Sequence, residues 1–575
     1  MRKYSQILLS VLLVASCGPK DGIHTFHLLT TNDVHGAWFD STYVGGTTRN
    51  SLFAVNYYVD SIRTVDGVDN VLLLDAGDCL QGDNAAYYYN YVDTQTEHLF
   101  PRLVSYMKYD AVTVGNHDIE TGQPVYDRVR KDLKRHGIPF LAGNAIRNDN
   151  GNPYFQVYKT FKRAGLKVLV LGYTNQMNAS WVDESIYSGM HFESLIPIVQ
   201  EDVDRYSLKE KPQVVIVSVH SATGLGDGRS GEAQGLDLYN SLHGVDFLVC
   251  SHDHRQTVFC NDSIALINTG NRAKYLGHGV ISVDVVKGKA VSRKLKASLI
   301  KVDKRKADPV MRDAFRKDYQ TVKDFSFREI GVLTMDLRTR DAYSGMCDYV
   351  NLLHSVQLNS SKAQLSFAAP LTFNGIIKAG TLVYNDLFTL YPFENQLFVM
   401  KMKGSEIKNY MEFCYSRWLS DPGSNHVLRI VRRDDPRNNQ AGWSFVYRSY
   451  NFDSVGGLVY TVDITKPTGE RVEIKSMADG TPFDLEADYS VAMTSYRASG
   501  AGGMLTEGAG IPMNELDSRI TGKYEEIREF LYRYIEEYGL IDHDTVSDPG
   551  LIGSWKFIPE TVVNGMMESD YRLLF

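Results

Sequence analysis

Seven short apolar runs punctuate the first three hundred residues, and five of them are followed by clusters of aspartate, asparagine or histidine. The runs are Phe26–Thr31, Val71–Asp75, Ala111–Gly115, Lys167–Gly172, Val214–Val219, Phe247–Cys250 and Ile281–Val286. They are rich in Val, Leu and Ile, and helix-compatible stretches separate several of them. That alternation is what an α/β sheet requires, because a parallel strand must be reached by a long crossover. The clusters that follow five runs are Asn32-Asp33-Val34-His35, Gly77-Asp78, Gly115-Asn116-His117-Asp118, His220, and Ser251-His252-Asp253-His254. Sheets of this class place their sites just beyond strand ends.

From Lys304 to about Glu329 the chain is charged and reads as a linker helix. A second region follows, with strand-like runs at Gln396–Lys401 and Leu458–Asp463. It also holds an aromatic-rich stretch, Trp443 to Phe452, and a glycine-rich turn, Ser499 to Gly503. The expected organisation is residues 1–22 as an address and tether, 23–302 as the first domain, 303–330 as the linker helix and 331–575 as the second domain.

The address begins with Arg2 and Lys3 and continues in a nine-residue apolar run, Ile7 to Ala15, broken only by Ser10. A bilayer needs ~20 apolar residues, so the run is too short to span one and reads as an export signal. Val14-Ala15-Ser16-Cys17 resembles a bacterial lipobox, whose cysteine becomes the lipid-anchored first residue of the mature chain. The remaining cysteines, Cys79, Cys250, Cys260, Cys347 and Cys414, are odd in number and sparse, so a disulfide framework is not expected.

Charge narrows the function. Sixty-one Lys and Arg stand against 69 Asp and Glu, a net charge of −8. That argues against a nucleic-acid polymer as partner, which wants a basic surface. Mixed carboxylate, amide and imidazole donors suit Zn²⁺, Mn²⁺, Co or Fe better than Ca²⁺. Two such ions ~3.5–4 Å apart clamp the attacking and leaving oxygens of a displacement, and water held by them ionises near pH ~7. Asp78, alone in a glycine-flanked turn, is the natural bridge between the ions. The ions outweigh Asp33 and Asp78, so an anionic substrate is attracted despite the net charge. His117 is placed to stabilise or protonate a leaving oxygen.

At these residues the chain resembles the calcineurin-like metallophosphoesterases. More narrowly, it resembles the bacterial 5′-nucleotidase and 2′,3′-cyclic-nucleotide 2′-phosphodiesterase/3′-nucleotidase family. The resemblance implies an α/β chain with an N-terminal αββα metallophosphoesterase sandwich, the linker helix and a C-terminal α+β nucleotide-binding domain. It implies Asp33, His35, Asp78 and His254 as ligands of one metal, and Asp78, Asn116, His220 and His252 as ligands of the other. It makes His117 the catalytic histidine. The third residue after that histidine is commonly Asp in the family. Here it is Glu120, one methylene longer, which leaves Glu120 and Asp118 as rival supports for His117.

Three stretches of the second domain resemble the family's substrate-binding domain: Leu365–Pro370 with Asp386–Asn395, Tyr450–Asp463, and Thr494–Gly500. The family clamps a nucleobase between two aromatic rings. Tyr496 matches one ring, and Tyr391 or Phe393 the other. The loop Leu371–Lys378 has no arginine where the family usually carries one. Asn374, Lys378 and upstream Arg340 are the substrate-side candidates there, and lysine lacks the bidentate fork. The expectation is an exported lipoprotein, in the periplasm or on the cell surface of a Gram-negative bacterium, a monomer with two divalent metals. It would hydrolyse nucleotides or cyclic nucleotides, with 5′-nucleotidase or UDP-sugar hydrolase activity as the rival and a non-catalytic nucleotide-binding surface protein as a remote one.

Overall fold

The computed structural model of the protein describes residues 19–393, 395–432 and 442–575. The export signal and Cys17 lie outside the described residues. Among the described residues, no helix is long and apolar enough to cross a membrane. Two compact units emerge. The first takes in residues up to Asp40, Thr48–Met177 and Ser188–Ala314. The second takes Phe315–Phe575 with two excursions from the first half, Ser41–Thr47 and Asn178–Tyr187.

The first unit is an αββα sandwich. Its strands in chain order are β1 (Gly22–Thr31), β2 (Val71–Asp75), β3 (Ala111–Thr113), β4 (Phe140–Leu141), β5 (Ala145–Arg147), β6 (Tyr158–Arg163) and β7 (Leu166–Tyr173). They continue with β8 (Met190–Phe192), β9 (Val214–Val219), β10 (Phe247–Val249), β11 (Gln256–Cys260), β12 (Ala265–Thr269), β13 (Tyr275–Val286) and β14 (Lys289–Lys301). One sheet runs β14-β13-β1-β2-β3-β4 and the other β11-β12-β10-β9-β7-β6, while β5 and β8 pair apart. β1 to β4 are mutually parallel. So are β7, β9, β10 and β12.

Alternation explains the layers. Val214 and Ile216 of β9 face the apolar layer between the sheets, where Phe26, Leu28, Leu72 and Phe247 also pack. Val215, Val217 and Val219 face the outer layer, against Leu195, Val199 and Val203 of the helix Leu195–Glu210. Strands covered on both faces are apolar throughout, which is why they read as unbroken runs. Gly22 already pairs with Val285, and Asp21 Oδ1 accepts from Gly288 N at 3.1 Å, so the expected tether ends one or two residues early.

The expected linker helix is two helices, Pro309–Ala314 and Arg316–Ser326. The chain turns between them at Phe315, which is buried. The second unit centres on a five-stranded sheet, in order Ser454–Gly456, Leu365–Ala368, Asp488–Thr494, Gln396–Lys403 and Ile520–Glu526. Its core is strongly aromatic, with Tyr415, Trp418, Phe452, Tyr460, Trp555 and Phe557 packed together.

Candidate metal centre and substrate cavity

Five turns at the C-terminal ends of β1, β2, β3, β9 and β10 bring Asp33, His35, Asp78, Asn116, His117, His220, His252 and His254 to one end of the sandwich. Donor atoms of Asp33, His35 and His254 all lie within 4.8 Å of one another, as do those of Asp78, His220 and His252, and those of His35, Asp78 and His117. Five of these residues hold a left-handed backbone: Asp33 (φ 48°), His35 (φ 48°), Asp78 (φ 62°), His252 (φ 74°) and His254 (φ 58°). Such conformations cost roughly 1 kcal/mol or more for a residue with a Cβ and gather at sites where geometry is functional. Asp78 follows Gly77 (φ 97°), and a Cβ on Gly77 would come within 2.7 Å of Gly115 N and His220 Nδ1. That close approach is why glycine precedes Asp78.

The donor set fits metal cations. His220 Nδ1 donates to the Ala76 carbonyl at 2.8 Å, which turns Nε2 toward Asp78 Oδ2 and Asn116 Oδ1, both at 3.1 Å. A bare imidazole nitrogen facing two acceptors needs a proton or a metal between them. Asp78 Oδ2 itself is buried without a hydrogen-bond donor. His35 Nε2 and His254 Nε2 face each other at 2.9 Å, with Asp33 Oδ1 3.5 Å from the latter. Ligands ~2.0–2.2 Å from a shared ion sit at separations of this order. Burial opposes charge on Asp33, but the bond from His254 and the nearby His220 hold its carboxyl below the usual range. On Asp78 burial is outweighed by His220 and His117, which hold it well below that range. For His220 burial works against protonation, yet Asp78 lifts the ring to about 9.

Around the donors lies a shell of buried acceptors. Glu120 serves two residues: Oε2 accepts from His117 Nδ1 at 2.7 Å, and Oε1 from Asn116 Nδ2 at 3.0 Å. Asp118 instead accepts four backbone N–H groups, from Asp78 (3.1 Å), Cys79 (2.9 Å), Leu80 (3.0 Å) and Gly115 (2.8 Å). Burial and the Asp78 charge push Asp118 up to about 6. Asp253 holds the loop, accepting from Thr223 N and Asn268 Nδ2, and points no oxygen at the cluster.

Sequence reasoning missed Glu232. Its Oε1 lies 2.8 Å from His252 Nε2, which leaves His252 Nδ1 facing Asn116 Oδ1 at 2.9 Å. It stands in a glycine-interrupted loop with no strand pattern to mark it.

The second unit holds a cavity of about 200 Å³. Phe393, Tyr450 and Tyr496 line it with Asn395, Asp453 and Arg497. Tyr450 stands edge-on to both other rings, 6.0 Å from Phe393 at 76° and 6.4 Å from Tyr496 at 87°. Phe393 and Tyr496 are 38% and 42% exposed, and the Arg497 guanidinium lies over the Tyr496 ring, 5.7 Å from its centroid. Tyr391 does not line the cavity; it is a core residue, 1% exposed, whose carbonyl accepts from Arg528 Nε at 3.0 Å. The floor is a buried ion pair, Arg497 Nε to Asp453 Oδ2 at 2.9 Å, capped by the Tyr410 hydroxyl on the same oxygen. Burial disfavours the Arg497 charge, but Asp453 outweighs it and raises its pKa.

Three sequence candidates lie elsewhere. Lys378 pairs with Asp336 at 3.0 Å. Arg340 sits 5.8 Å from the Phe575 ring centroid, and Asn374 is exposed. None of the three lines the cavity.

The calcineurin-like phosphoesterase family model matches residues 26–256, and the 5′-nucleotidase C-terminal domain model matches 329–507. Residues 26–256 thus match a calcineurin-like phosphoesterase domain and residues 329–507 a 5′-nucleotidase C-terminal domain. The chain is 22% identical to the trifunctional nucleotide phosphoesterase protein YfkN of Bacillus subtilis over 94% of its own length. The match spans 39% of that relative, so this chain corresponds to less than half of it. It is also 22% identical to the 2′,3′-cyclic-nucleotide 2′-phosphodiesterase/3′-nucleotidase of Salmonella typhimurium, covering 87% of this chain and 85% of the relative. A Staphylococcus aureus protein assigned as a 5′-nucleotidase and crystallised with α-ketoglutarate shares the fold, with a TM-score of 0.71 and 20% identity, over 93% of this chain and 99% of that one. The calcineurin-like phosphoesterase fold of residues 26–256 implies divalent metal ions, and the three donor clusters could hold them.

Proposed function

We propose that this phosphoesterase is an exported, dinuclear metal-dependent hydrolase that opens 2′,3′-cyclic nucleotides and dephosphorylates 3′-nucleotides. The observation that carries the chemistry is the convergence of three donor clusters, linked through His35 and Asp78, beside a histidine held by Glu120. Asp33, His35, Asp78 and His254 would hold one ion, and Asp78, Asn116, His220 and His252 the other. Such ions supply hydroxide at neutral pH and offset charge on the phosphoryl oxygens. Their identity among Zn, Mn, Co and Fe is a matter for metal analysis of the purified protein.

The chain's own residues do the rest. Glu120 accepts the hydrogen bond from His117 Nδ1–H, so Nε2 is the atom that meets the substrate. Water adds its oxygen to phosphorus and releases one proton to solvent as the P–O(2′) or P–O(3′) bond breaks; the protonated His117 ring gives its Nε2 proton to the departing oxygen and regains one from solvent. Phe393 and Tyr496 supply stacking faces for a base, with Tyr450 as the wall between them. Stacking accepts any base because each has a π-face.

The cyclic-nucleotide reading is supported by the Salmonella relative's name and by the missing arginine in Leu371–Lys378. Lys378 is occupied by Asp336 and adds no fork for a terminal phosphate. Export rests on the basic, apolar and lipobox pattern ending at Cys17, which would anchor the protein in the periplasm or at the cell surface.

Phosphate release in the presence of Mn²⁺ or Zn²⁺ tests this. The substrates are 3′-AMP, 5′-AMP, and 2′,3′-cyclic AMP coupled to a phosphatase. Turnover of the first and third is expected. Turnover of 5′-AMP alone would establish the 5′-nucleotidase rival. Two bound metals with no turnover would establish a binding protein.

A further inference from the structure

The end of the sandwich opposite the candidate ligands is where the parallel strands begin, and its surface has an unusual make-up. Seven aliphatic side chains of the first unit are more than half exposed among the described residues. Five of them lie at this end: Ile23 (77%), Val65 (80%), Val68 (51%), Leu208 (79%) and Val291 (57%); only Leu225 and Val310 lie elsewhere. Scattered exposed aliphatics are ordinary, but their concentration marks an interaction surface.

Direct contacts tie these segments into one face. His24 Nδ1 donates to the Ala164 carbonyl at 2.6 Å, and Ala164 N donates to Asp69 at 3.1 Å. Lys167 Nζ donates to the Glu210 carbonyl at 2.8 Å, and Arg293 to the Gln213 carbonyl at 2.8 Å. Gly288 donates to Asp21. The start of β1, the β6–β7 and β13–β14 turns and the chain leading into β9 therefore share this end.

Exposed cations surround the aliphatics: Lys20, Lys162, Lys211, Lys287 and Lys289. Lys211 (φ 51°) and Lys287 (φ 55°) occupy left-handed turn positions, where glycine would be less strained. Asp21 and Asp69 offset part of this charge. Lysines with flexible stems around aliphatic tips match a surface that is anionic outside and apolar beneath.

We propose that this end of the N-terminal unit is a membrane-docking face, seated on anionic lipid headgroups with the metal-binding turns directed away. The proposal rests on the reading of Cys17 as a lipidated residue, because that anchor is what brings the chain to a bilayer. Cys17 precedes Ile23 by six residues, a reach of at most about 20 Å, so an acyl chain there would hold this face against the membrane. A single acyl chain binds reversibly, and a basic patch is the usual second signal.

The test uses the chain lacking residues 1–17, so that neither the export signal nor an acyl group contributes. It is sedimented with vesicles of phosphatidylcholine plus phosphatidylglycerol, and with vesicles of phosphatidylcholine alone. Binding to the anionic vesicles only, lost at about 0.5 M NaCl, is expected. The combined Lys162→Glu, Lys211→Glu and Lys287→Glu variant should bind at least roughly 100-fold more weakly, with thermal midpoint and nucleotide hydrolysis unchanged. Leu208→Ser should weaken binding by a smaller factor. Absence of binding to anionic vesicles, equal binding to both vesicle types, or undiminished binding by the triple variant overturns the proposal. The mass of the N-terminal peptide of the unmutated protein reports lipidation separately. An unlipidated Cys17 with vesicle binding intact would refute the anchor alone.

Discussion

The two sites solve opposite problems. At the ligand turns, five residues with side chains hold left-handed backbone conformations, and Asp33, Asp78, Asn116, His220 and His252 each have a hydrogen-bonded partner beyond the ligand set. Around the second unit's cavity, no lining residue does; Lys362, the one such residue of that unit among the described residues, lies elsewhere. The cavity instead presents partly exposed aromatic rings. Bond making at phosphorus tolerates little misplacement, and effective molarity collapses with small shifts. Stacking a base tolerates sliding. Strain and second partners therefore accumulate where chemistry is expected, and aromatic surface where recognition is expected.

Substitutions can break or sharpen that contrast. The largest effect should come from Asp78→Asn, which removes the residue common to two donor clusters. Turnover should fall by more than about 10³-fold, with loss of bound metal measured by elemental analysis. Full metal content with full turnover would refute its bridging role. Next, His117→Asn should keep both metals yet lose roughly 10²–10⁴-fold in turnover. Glu120→Gln should lose less, roughly 10–100-fold, and Glu232→Gln should lower metal affinity by a similar factor.

At the other site, Tyr496→Ala or Phe393→Ala should each remove about 1–3 kcal/mol of base stacking, seen mainly in KM. Tyr391→Ala should instead destabilise the fold by about 3–5 kcal/mol, seen in denaturant midpoint. If Tyr391→Ala raised KM at unchanged stability, the assignment of the two aromatics would be reversed.

The smallest effect is on stability with pH. His354 is buried between Ser366 and Ser454, and burial pulls its pKa down to about 3. Its ring stays neutral in the folded chain but takes a proton near pH ~6.5 when unfolded. The unfolded state thus binds more protons below that value, so stability falls as the medium is acidified. Between pH ~6.5 and ~5 the loss is about 2 kcal/mol. Chemical denaturation of the parent and of His354→Gln across that range measures it. The variant should show a shallower slope, and an identical slope would remove His354 as the cause.

The candidate ligands were legible because strand ends are local features. A β-branched run predicts its own end, and Asp33, Asp78, Asn116, His220 and His252 each follow one. Their chain order then matches a known family. Glu232 was illegible because it sits in a loop whose path depends on Ser221, Thr223 and Asp253. The choice between Glu120 and Asp118 was equally closed. One methylene decides nothing until the helix Asn116–Glu120 is docked, when Glu120 meets His117 and Asp118 is taken up by the Asp78 turn. Tyr391 and Phe393 differ by two positions in a short segment, and only packing buries one and opens the other.

The sequence alone therefore determined the inventory: an α/β first half, the set of donors at its strand ends, a net negative chain, and aromatics in the second half. Tertiary structure decided the pairings: which nitrogen of His220 and His252 faces the donors, which carboxylate holds His117, which ring lines the cavity, and which end of the sandwich gathers exposed aliphatics and lysines. The physical reason is range. Strand ends and residue types are written within a few residues, whereas tautomers, orientations and surface faces depend on contacts between segments more than two hundred positions apart, such as His252 N with Asp33.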